Sequence, residues 1–88
     1  MTDYRIAFMP QAADDLLRLD KAVGQRIVDK LRWLSHNFDH LTPETLTGDF
    51  KGFHRLRVGS YRVIYTANRE ERSLVMHLVG HRRDIYKR

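Results

Sequence analysis

Phe53-His54-Arg55-Leu56-Arg57-Val58-Gly59-Ser60-Tyr61-Arg62-Val63-Ile64-Tyr65-Thr66 is the stretch on which the fold turns. Apolar and polar side chains alternate through both halves, the two-residue period of a half-buried strand, and Gly59-Ser60 between them makes a tight connection. The reading is a β-hairpin. Side chains alternate across a sheet, so Leu56 and Val58 face one way while Arg55 and Arg57 face the other. Arg62 alternates against Tyr61 and Val63 and is placed by the short turn beside Arg55 and Arg57. His54 turns to the opposite face.

Downstream, residues 68–72 form a charged turn, and Ser73-Leu74-Val75-Met76-His77-Leu78-Val79 is apolar almost throughout, which predicts a central or doubly covered strand. Upstream, residues 39–52 hold Pro43, Gly48 and Gly52 among scattered polar residues and read as a loop. Before that loop the period becomes helical. Val23, Ile27, Leu31, Leu34 and Phe38 make one stripe on a helix over 21–37, with Asp20 as its N-cap. Ala12, Leu16 and Leu19 share a face of a shorter helix over 10–20, with Asp14, Asp15 and Arg18 on the far side and Asp14 paired to Arg18. Pro10 suits a first helical position, and residues 4–9 before it are rich in strand formers. The order is β-α-α-β-β-β. It predicts an α+β fold in which an antiparallel sheet with an N-terminal strand carries a helical hairpin on one face.

The chain has 88 residues, enough for a single domain over 1–88. Its 42% hydrophobic and 31% charged content is that of a folded soluble domain, and the absence of Cys removes disulfide scaffolds, thiolate zinc sites and cysteine nucleophiles. No leader and no membrane span are evident, so a cytoplasmic location is expected. Charge is uneven. Residues 1–50 carry six Lys/Arg against eight Asp/Glu, whereas residues 51–88 carry ten against three. The basic second half points to a polyanion: nucleic acid first, then an acidic protein or an anionic lipid.

Three arginines gathered on one sheet face repel one another unless an anion lies between them, so Arg55, Arg57 and Arg62 suggest a phosphate site; the alternative is three separately solvated side chains. The chain closes on Gly80-His81-Arg82-Arg83-Asp84-Ile85-Tyr86-Lys87-Arg88, projected from the end of an apolar strand. Arg82 or Arg83 suits a pentacoordinate phosphate, His81 suits a proton donor or acceptor, and Tyr86 suits a base or a phosphate. Such a basic tail can also be frayed and inert. Metal binding is not expected: His36 and His40 straddle a helix end, and on an extended strand His77 and His81 stand roughly 13 Å apart. No Gly-rich phosphate loop, G-x-S-x-G elbow or paired-carboxylate arrangement is present, so nucleotide hydrolysis and serine or glycosidase chemistry have no support, and no cofactor is expected. Trp33, flanked by Lys30 and Arg26, is an edge of the core or part of a protein-binding groove. Arg5, Arg69 and Arg72 read as solvent-facing charges.

The run from Leu46 to Tyr65, followed by Val79-Gly80-His81-Arg82-Arg83-Asp84-Ile85-Tyr86, resembles the RelE/ParE superfamily of toxins from type II toxin–antitoxin modules. The closing His-Arg-x-Asp-x-Tyr pattern looks more like the RelE branch, whose members cut messenger RNA in the ribosomal A site, than the ParE branch, which poisons DNA gyrase. The resemblance implies catalytic roles for Arg55, Arg57, Arg62, Arg82 and Tyr86. Two positions that are lysine in RelE are arginine here. Arginine is a poor base, so proton abstraction is expected to rely on strong electrostatic activation or on a histidine, His81 first and His54 second. Lys51, Arg83, Lys87 and Arg88 are expected to meet RNA. The implied function is a ribosome-dependent mRNA endoribonuclease, with a ParE-like gyrase inhibitor that does not cut RNA as the alternative. The implied partners are the ribosome, mRNA and a cognate antitoxin that wraps the toxin in a hetero-oligomer.

Overall fold

The computed structural model describes residues 3–87. Strand β1 (Arg5–Phe8) leads through Pro10 into α1 (Pro10–Leu17) and α2 (Lys21–Asn37); β2 (Glu44–Thr45), β3 (His54–Val58), β4 (Tyr61–Asn68) and β5 (Ser73–His81) follow. Short 3-10 turns stand at Phe38–His40, Gly48–Phe50 and Ile85–Lys87. The strands form one sheet in the order β1-β5-β4-β3-β2.

The α+β class and the helical hairpin match the sequence reading, and the sheet differs from it in two ways. It is mixed: β1 lies parallel to β5, with Arg5 opposite Ser73 and Phe8 opposite Met76. The long excursion through the helices and the meander permits this, since parallel neighbours need a connection of about a dozen residues or more. The segment read as loop also contributes β2, antiparallel to β3, with Glu44 opposite Arg55 and Thr45 opposite His54. Pro43, which has no N–H to donate, precedes this strand, and Gly52 in the left-handed region (φ 91°) turns the chain back toward β3.

The hairpin packs on one face of the sheet. Ile27, Leu31 and Leu34 of α2, Ala12 of α1 and Phe38 beyond α2 bury against Leu56, Val63, Tyr65, Leu74, Met76 and Val79. Phe38 is wedged edge-on between Tyr4 and Tyr65, at ring distances of 5.0 and 6.3 Å. Asp20 takes the N-cap position of α2 but makes no side-chain capping bond. Among the described residues Asp14 and Arg18 form no ion pair.

Asp15, read as solvent-facing, is buried at 3% exposure. Its carboxylate accepts from the backbone N–H of Val79 at 3.0 Å and from Gln11 Nε2 at 2.9 Å. A buried carboxylate is tolerable only with such donors, so this contact ties α1 to β5. Arg69 and Arg72 are likewise more than solvated charges. Arg72 Nη1 donates to Asp39 Oδ2 at 2.9 Å, Arg69 approaches Oδ1 of the same carboxylate at 3.8 Å, and Tyr4 Oη donates to it at 2.7 Å. The guanidinium groups also lie over Phe38 and Tyr4, at 4.6 and 4.4 Å. Together they fasten the start of β1 to the end of α2.

Candidate functional site

The other face of the sheet carries the charge. In the β3–β4 register Arg57 is directly opposite Arg62 and Arg55 is opposite Ile64. Gly59, with φ 59°, makes the tight reversal that sets this register. Arg62 is only 8% exposed, and its Nη1 donates to the carbonyls of Gly59 at 2.9 Å and Tyr61 at 2.8 Å. The hairpin's own backbone thus aims one guanidinium and leaves its remaining donors unspent.

Glu44 of β2 bridges the other two arginines. Arg57 donates to it twice, Nε to Oε1 at 3.0 Å and Nη2 to Oε2 at 2.9 Å, while Arg55 Nη2 pairs with Oε2. The hydrogen bonds from Arg57 and then Arg55 hold the carboxyl at about 2, well below the usual carboxylate range. The same contacts raise both arginines above their ordinary values. Arg55 Nη1 donates to the Tyr86 hydroxyl at 2.7 Å, and Arg55 Nε is buried without an acceptor.

Tyr86 arrives because the closing segment folds back, where projection from the sheet had been expected. Arg82 N–H donates to the Ser60 carbonyl at 2.8 Å, Asp84 N–H to His81 at 2.9 Å, and Lys87 N–H to Asp84 at 3.0 Å. Ile85 is fully buried, outside the main core, against Gly80, where an added Cβ would lie 3.3 Å from Ile85 Cδ1. Tyr86 then stands edge-on to Phe50 at 5.5 Å, Phe50 to Phe53 at 6.4 Å and Phe53 to His77 at 4.9 Å. His77 is turned to this face by a register shift: Ile64 pairs with Leu78 but Tyr65 with Met76, so His77 is extra and its Nε2 meets Thr66 Oγ1 at 3.0 Å. Burial lowers its pKa.

His81 is not brought to the arginines. It belongs to β5, opposite Tyr61, while its neighbour Gly80 is opposite Arg62. Alternation therefore sends the imidazole to the helix-bearing side, where it lies 5.3 Å from the Tyr61 ring and accepts from the Arg83 N–H at 3.2 Å. His54 is on that side too, against Tyr65, with Thr45 Oγ1 at 3.1 Å from Nδ1; desolvation first and Arg69 second lower its pKa. The side chains of Arg82, Arg83, Lys51 and Lys87 are exposed and make no hydrogen bond or ion pair among the described residues. Arg88 lies outside the described residues. No group of three or more His, Cys, Asp or Glu among the described residues could hold a metal ion.

Two hollows flank the cluster. One, about 440 Å³, is walled by Thr47, Asp49, Phe50, Arg55 and Tyr86. The other, about 270 Å³, runs beside Trp33, Leu41, Pro43, Leu56 and Arg57. Glu44 is the member that sequence reasoning missed. Its only signal was an acidic residue just after Pro43, and nothing local says that it reaches two arginines of the following hairpin.

The family model of the ParE toxin of type II toxin–antitoxin systems matches residues 6–86. No curated protein sequence matches the chain. Among solved structures, the chain is similar to the toxin–antitoxin complex RelBE2 from Mycobacterium tuberculosis, with 26% identity over 92% of this chain and 93% of that one, TM-score 0.82. The archaeal RelE–RelB complex from Pyrococcus horikoshii OT3 is 28% identical over 93% and 97% of the two chains, TM-score 0.72. The isolated E. coli RelE toxin, 19% identical over 89% of this chain and 83% of that one, shares the fold at a TM-score of 0.74.

Proposed function

Because the chain belongs to the ParE toxin family of type II toxin–antitoxin systems, we propose that its arginine-rich face cuts messenger RNA on the ribosome. The supporting observation is that Arg57 and Arg62 are direct neighbours in the hairpin register, on the sheet face that also carries Arg55 tied to Tyr86. In this reading the ribose 2'-hydroxyl attacks the adjacent phosphorus, a 2',3'-cyclic phosphate forms and the 5'-oxygen leaves. Charge grows on the non-bridging oxygens, and preorganised guanidinium donors stabilise it there more than in the ground state. Arg62 and Arg57 face the phosphate, Arg82 adds a guanidinium from the turn after β5, and Tyr86 orients the nucleotide. Lys51, Arg83, Lys87 and Arg88 steer the RNA backbone.

Proton abstraction falls to Glu44, since His81 faces away. Held by two arginines the carboxylate is a weak base, but a phosphate that takes those guanidinium groups releases it toward the ordinary carboxylate range and strengthens it. The hollows are shallow, and the ribosome supplies the alignment that the protein lacks. A cognate antitoxin with an acidic, apolar-anchored segment suits the groove beside Trp33, whose rim carries Lys30 and Arg57.

Primer extension on programmed ribosomes tests this: purified protein should give discrete cuts within A-site codons, and no cut at any codon overturns it. The family model itself, that of ParE, favours a second reading in which the protein inhibits DNA gyrase without cutting RNA. Loss of gyrase supercoiling with intact messages would establish that one.

A further inference from the structure

Three arginines on one face need an anion between them, and this chain supplies one of its own. Arg57 grips the Glu44 carboxylate with a side-on fork, Nε to Oε1 and Nη2 to Oε2, the geometry in which guanidinium groups also take a phosphate. Arg55 closes on Oε2 as well. Among the described residues Arg62 bonds to hairpin carbonyls and not to Glu44. Two of the three guanidinium groups are therefore answered before any substrate arrives, and one is open.

The bridge is able to give way. Glu44 belongs to a strand of two residues at the edge of the sheet, and its side chain is partly exposed, so little packing holds it. Closing it also strands a donor: Arg55 Nε is buried without an acceptor, a cost that a phosphate drawing Arg55 outward would relieve. A phosphodiester offers the same single charge and a similar pair of oxygens, so the exchange of one anion for the other is close to even. What favours the carboxylate is its tether. A group fixed beside its partners acts at an effective concentration on the order of millimolar, which a dilute free oligonucleotide does not match.

We propose that Glu44 is an intramolecular competitor of the RNA backbone, a latch that withholds Arg55 and Arg57 from loosely held RNA and yields them to a phosphate fixed in place by other contacts. The inference rests on the arginine face being a phosphate site, as the nuclease reading has it, and binding tests it without any cutting.

The probe is a labelled single-stranded RNA of about ten nucleotides, 2'-O-methylated so that no hydroxyl can attack, titrated by fluorescence anisotropy. Glu44→Gln should bind it at least roughly 10-fold more tightly than the wild type, because a latch open in no more than about a tenth of the molecules lowers apparent affinity by that fraction. Its binding should also weaken more steeply with salt, by up to about 1.4 in the logarithmic slope, as two further phosphates are neutralised. Asp49→Asn removes the same charge from the neighbouring hollow without freeing an arginine, and should gain only a few fold at the wild-type slope. Equal gains for the two variants would reduce Glu44 to one more surface charge and overturn the inference, as would an unchanged affinity of Glu44→Gln in protein with an unchanged circular dichroism spectrum. Failure of all three proteins to bind the RNA overturns both the latch and the phosphate site. Tighter binding by Glu44→Gln, with no cutting by the wild type on programmed ribosomes, upholds the latch and removes the nuclease reading.

Discussion

The two faces of the sheet solve opposite problems with the same strands. On one, Leu56, Val63 and Tyr65 disappear beneath α2, and the contacts are dry and interchangeable in kind. On the other, Arg55, Arg57 and Arg62 alternate with those very residues and are positioned by a few polar contacts: two carbonyls for Arg62, one carboxylate shared by Arg55 and Arg57, one hydroxyl for Arg55. The first face holds the fold together, and the second is the one to which the proposed chemistry belongs. Substitutions should therefore separate the two properties although the residues are neighbours in sequence.

The largest effect belongs to the dry face. Phe38→Ala empties the space between Tyr4 and Tyr65 and should cost about 3–5 kcal/mol in urea unfolding, enough to threaten a domain of this size, while leaving the activity per folded molecule unchanged. A loss below about 1 kcal/mol would mean that the aromatic wedge carries little of the core. Arg62→Ala comes next. It should slow cleavage on programmed ribosomes by roughly 10²–10³-fold, the cost of removing one preorganised donor from a developing oxyanion, with secondary structure retained. Cleavage at the normal rate would erase the distinction between the faces.

The smallest effect is one of pH. Glu44 is held at about 2 in the folded chain and returns to the usual carboxylate range, about 4.3, when unfolded. A lowered folded pKa stabilises above the unfolded value, and that contribution fades as pH falls from about 4.3 toward 2. Over this window the wild type should lose more stability than Glu44→Gln does, by a small margin because the carboxylate is 37% exposed. Parallel stability curves for the two proteins would show that the latch adds nothing to the fold.

Much of this was readable along the chain. Alternation at residues 53–66 gives the hairpin and its two faces, and the helical stripe from Val23 to Phe38 gives the buried side of α2. Periodicity reports which face a residue takes, not what it meets. Glu44 finds Arg57 through a strand of two residues, too short to have a pattern. Asp15 looks like any polar helix position until Val79 offers it an N–H. His81 is the natural proton carrier by its chemistry, but β5 runs two residues beyond Val79 and its alternation decides the face that His81 takes. The parallel pairing of β1 with β5 leaves no trace in either segment.

That last pairing orders assembly in time. β1 has its hydrogen-bonded neighbour only in β5, and Asp15 waits for a donor 64 positions away. The opening strand and first helix therefore gain these native partners only once the end of the meander is in place, and this segment is expected to join the fold late. Such dependence on distant encounters slows folding. It also makes the molecule cooperative from its first strand to its last, so that a severed front portion is expected to be a substrate for proteases and not a smaller version of the whole.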